Sequence, residues 1–134
     1  PRRLREVREV SQILRLSNAE QDRLADWADP ALGHIETLSP AELAEAFYRY
    51  GPEVVCDRAL IEAASGTGDS LKLVLAAAAR WSRPELPVGG ADALAAGLAG
   101  PAIGKALATA EEAWIASGFT LTRDALLARL IRAD

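Results

Sequence analysis

An all-α fold, an irregular bundle of about seven to eight helices, is predicted by three features of the sequence. Alanine occurs 28 times while Ile, Val, Phe, Tyr and Thr are sparse, so intrinsic preference runs to helix and away from strand. Apolar residues recur at intervals of three and four in one segment after another. Ser-x-x-Glu boxes, prolines and glycines stand where such segments begin and end.

The first helix, over residues 3–16, carries Val7, Val10 and Leu14 at helical spacing among Arg and Glu. Ser17-Asn-Ala-Glu20 is a capping box that starts a second helix, running to about Ala28. Asp29-Pro30 stops it, and a loop with Gly33 and His34 leads to Ser39-Pro-Ala-Glu42, a second box opening a helix with Leu43, Phe47 and Tyr50. Gly51 ends that helix and Pro52 starts the next, which reaches about Ala64. After Ser65-Gly-Thr-Gly68, Asp69 is placed to cap a helix whose Leu71, Val74, Leu75, Ala78 and Trp81 share a face. Prolines and glycines exclude regular structure from Ser82 to Gly90, and residues 91–96 have room only for a short helix. Pro101 opens a longer helix with Ile103, Leu107, Ala110 and Trp114 in line, closed by Gly118. A last helix spans about Arg123 to Arg132 and is expected to bury Leu126, Leu127, Leu130 and Ile131.

The length fits a single helical domain over 1–134, with a weak linker near 65–69 and an irregular segment at 82–100. The lone Cys56 has no internal disulfide partner and sits among Val54, Val55, Ala59 and Leu60, which suggests core packing in a reducing, cytoplasmic setting. The longest apolar run, Leu73 to Ala79, has seven residues against the roughly twenty needed to span a bilayer, so no membrane role is expected. Charges interleave with apolar residues from Pro1 to Val7, unlike a signal peptide. The absence of Met and a start directly in helix suggest a C-terminal part of a longer protein, although removal of an initiator Met before Pro1 leaves the same start.

Catalytic and metal motifs are missing from this reading. His34 has no Cys, His or acidic pair at ligand spacing, and Gly89-Gly90 and Gly97 to Gly104 lack the Gly-x-Gly-x-x-Gly or Walker patterns of nucleotide loops. The carboxylates fall mostly on helix faces opposite apolar stripes, so no catalytic residue and no metal ligand is assigned. A net charge of −4 excludes a general polyanion binder, and any nucleic-acid contact has to be local.

The stretch Leu86-Pro-Val-Gly-Gly90-Ala-Asp92-Ala-Leu94-Ala-Ala-Gly97-Leu-Ala-Gly100-Pro101-Ala-Ile103-Gly104-Lys-Ala-Leu107, followed by Trp114, resembles the C-terminal helical region of bacterial tRNA nucleotidyltransferases. That family comprises CCA-adding enzymes and related poly(A) polymerases. Leu14-Arg-Leu-Ser-Asn18 is similar to the family as well, whereas the interval Gly97 to Gly100 is one residue shorter than usual. The resemblance implies the body and tail of such an enzyme, a part that holds tRNA or another RNA. Nucleotide selection from CTP or ATP and Mg-dependent transfer would lie in a catalytic head domain of the same chain, whose motifs do not occur here. On this reading these residues alone are inactive and bind no cofactor.

Gly100-Pro101 opens a helix whose free amides and positive dipole end suit a phosphate, with Lys105 one turn in and Gly100 and Gly104 permitting close backbone approach. The plainer reading of the two glycines is a tight crossing of helices. Arg80 and Arg83 flank Trp81 as a second phosphate-contacting pair, with Trp81 itself expected in the core. The alternative function is a helical scaffold or dimerisation domain, forming a homodimer or packing on a head domain without touching RNA.

Overall fold

The computed structural model describes residues 2–66 and 69–132, and among them regular structure is entirely helical. The fold is all-α. The chain divides into two compact units, Pro1–Ser82 and Arg83–Asp134, the boundary falling where the proline- and glycine-rich stretch begins.

The first unit contains α1 (Arg2–Leu14), α2 (Asn18–Trp27), α3 (Pro40–Tyr50), α4 (Pro52–Ser65) and α5 (Leu71–Arg80). Both serine boxes form as expected: Ser17 Oγ accepts from the Glu20 amide and Ser39 Oγ from the Glu42 amide, while each glutamate accepts from its serine's amide. The loop around Gly33 is more ordered than composition suggests, because two short 3-10 turns, Pro30–Leu32 and Ile35–Thr37, place Leu32 and Ile35 in the core. Ser70, without a side-chain cap bond, precedes α5 in the place expected of Asp69.

The core of this unit gathers Leu32, Ile35, Ala46, Phe47, Val54, Val55, Ala59 and Val74, with Trp81 packed against it and its ring 5.7 Å from that of Phe47. Full burial of residues such as Phe47 and Val55 contributes about 2 kcal/mol each. Cys56 lies half-buried beside this cluster, and burial, with Asp57 adding to it, pushes its thiol pKa up, away from the reactive thiolate.

Of the amphipathic stripe expected on α1, Val7 lies outside the residues whose side chains are described, and the described part is not buried. Val10 is 42% exposed and Leu14 62%, with Ile13 beside them at 79%, while the polar Ser11 is the buried position. Periodicity predicts that a stripe exists but not that the chain supplies its cover.

One side chain ties the irregular loop to the helices. Arg58 of α4 donates to the carbonyl of Trp27 at 2.6 Å, to that of Gly33 at 2.9 Å and to Glu62 at 3.2 Å. Glu62 in turn accepts from the Ile35 amide at 2.8 Å, and both side chains are only 13% exposed. By contrast, Arg23 reaches Asp57 and Glu53 at the surface.

The second unit contains α6 (Gly90–Ala95), α7 (Pro101–Ala116) and α8 (Arg123–Ile131), which contact one another. Its buried residues include Val88, Ala93, Leu98, Ala110, Trp114, Leu126 and Leu130. On α7 the buried residues are Ala106, Ala110, Trp114 and Ile115, so Ala110 and Trp114 of the expected line are buried while Ile103 and Leu107 are half-buried, and on α8 Ile131 is exposed instead of buried. Trp114 stacks edge-on with Phe119 at 5.0 Å, and Phe119 takes a left-handed conformation just past the helix.

Replacing Arg58 by Ala is expected to cost about 3 kcal/mol, since it strands the Glu62 carboxylate and two carbonyls. Arg23→Ala, which opens only a solvent-screened pair, is expected to cost far less. Urea denaturation of the two variants checks the contrast, and equal losses would refute the role given to Arg58.

Candidate nucleic-acid interface

The segment that carries the family resemblance folds as one connected piece around Asp92. Gly89 donates its amide to Asp92 Oδ2 at 2.9 Å, closing the start of α6 in the manner of a capping box. From the start of α8, 31 residues on, the Arg123 guanidinium bonds the same carboxylate and also donates to the carbonyl of Pro87. The Gly89 amide first, and Arg123 second, hold the Asp92 carboxyl below the usual carboxylate range.

After α6 the chain turns through two left-handed glycines, Gly97 at φ 89° and Gly100 at φ 56°, on either side of the buried Leu98. An L-residue with a Cβ is strained at both positions, so these glycines have a backbone reason to be there. Pro101 then opens α7, its missing amide costing nothing at the first helical position.

The first turn of α7 offers fewer free amides than the sequence suggests. Pro101 has none, and those of Ala102 and Ile103 donate to the carbonyls of Ala99 and Gly100 at 3.3 and 3.2 Å. What remains for an anion is the positive end of a 16-residue helix and the exposed Lys105. Gly104 is exposed, and a Cβ built on it meets no atom within 4 Å. Gly100 is likewise open, so no tight helix crossing accounts for either glycine.

Of the five residues singled out by sequence, Gly100, Gly104 and Lys105 therefore share the start of α7. Arg80 ends α5 in the first unit, and Arg83 opens the second. Both arginines are exposed, and Trp81 between them packs on the first unit's core, as expected, while remaining partly exposed. The Asp92–Arg123 clamp was not visible in the sequence: the Gly-x-x-Asp spacing signals a cap, but nothing local announces a partner 31 residues away. Among the described residues, no three His, Cys, Asp or Glu side chains gather as metal ligands, and no helix is long and apolar enough to cross a membrane.

No family model matches the chain, and no solved structure does. The chain is similar to an "uncharacterized 28 kDa protein in petA 5'region" of Rhodospirillum rubrum, 33% identical over 90 residues. That match takes in 60% of this chain and 33% of the relative, so the chain spans about a third of the curated protein it matches.

Asp92→Asn is expected to lower the melting temperature at neutral pH by weakening the Arg123 bond. The folded pKa of Asp92 is depressed, so its contribution is complete above the unfolded value of about 3.9 and is lost as pH falls through the folded value. The gap in melting temperature between wild type and variant should therefore close in acid. A gap independent of pH would show that the carboxylate charge is not what holds the clamp.

Proposed function

We propose that this chain is a noncatalytic, RNA-holding helical part of a nucleotidyltransferase of the CCA-adding or poly(A) polymerase class, working in the cytoplasm beside a catalytic head. The head would bring Mg and CTP or ATP, and the residues described here would hold tRNA by shape and phosphate instead of base sequence. The resemblance across Leu86 to Leu107 supports the class.

The observation that carries the contact is Gly104. A glycine in an exposed helical turn costs about 1 kcal/mol relative to Ala, and here it relieves no crowding within the protein. It leaves bare backbone beside Lys105, at the positive end of α7, where a phosphate backbone can approach. Lys105 is exposed, so its charge faces solvent.

A second reading, a scaffold or dimerisation domain without RNA contact, is favoured by the uncovered stripe of α1.

Titration of labelled tRNA at two salt concentrations separates them. Lys105→Ala is expected to weaken binding and reduce the salt slope by about 1. Gly104→Ala is expected to stabilise the protein by about 0.5–1 kcal/mol while weakening RNA binding. Absence of binding at low salt would leave the scaffold reading, and nucleotide incorporation into tRNA by the chain itself would overturn the noncatalytic assignment.

A further inference from the structure

We draw no further inference here: the strongest candidate, the open apolar groove between α2 and α4 walled by Leu24, Trp27, Leu60 and Ile61, is an unpartnered face, and nothing in the structure shows what covers it.

Discussion

A part-buried arginine holds the first unit's irregular loop in place, and much of that unit's core depends on it. Helices rich in alanine have small side chains, so the cluster needs Leu32 and Ile35 delivered from the loop between α2 and α3. Backbone bonds within two 3-10 turns are too local to aim those residues. Arg58 does so, gripping the carbonyls of Trp27 and Gly33 while Glu62 takes the Ile35 amide. The second unit repeats the solution with other residues: Arg123 takes the Pro87 carbonyl and the Asp92 carboxylate, tying the irregular approach of α6 to the start of α8. In both places a guanidinium supplies several directed donors where a hydrophobic contact would specify no geometry.

Local chemistry was legible in the sequence to the extent that its partners lie within one helical turn. Ser17–Glu20 and Ser39–Glu42 meet across three residues, and Pro40, Pro52 and Pro101 act through their own rings. Those helix starts were therefore readable, unlike that of α5, where Ser70 stands in the place expected of Asp69, and so was the all-α class. The Arg58–Glu62 spacing of four is also a local signal, although its message of a helix-surface pair conceals the two distant carbonyls that give Arg58 its importance. The Asp92–Arg123 bond has no counterpart in sequence spacing.

Burial was less legible than helicity, for a physical reason. A stripe fixes which side of a helix is apolar, whereas its cover depends on where other elements lie. On α7 the small residues Ala106 and Ala110 are buried beside Trp114 and Ile115, whereas the larger Ile103 and Leu107 are half-buried. The candidate site divides in the same way. Gly100, Gly104 and Lys105 are neighbours through helical geometry alone, whereas the grouping of Arg80 and Arg83 with Trp81 depended on a tryptophan that the core claims.

Gly104 and the α1 stripe are linked by a common energetic argument. Each breaks a local rule, a glycine in an exposed helix turn and aliphatic side chains in water, and neither is compensated by contacts among the described residues of its own unit. Such departures persist where something outside the fold recovers the cost. The two positions differ in what suits them. Bare backbone and a lysine at a positive helix end favour an anion, while the exposed Val10, Ile13 and Leu14 of α1 favour an apolar contact. On the proposed RNA-holding reading, a chain of net charge −4 with one lysine-bearing turn would draw its affinity from fit and not from charge density, which would make the open backbone at Gly104 as consequential as the charge next to it.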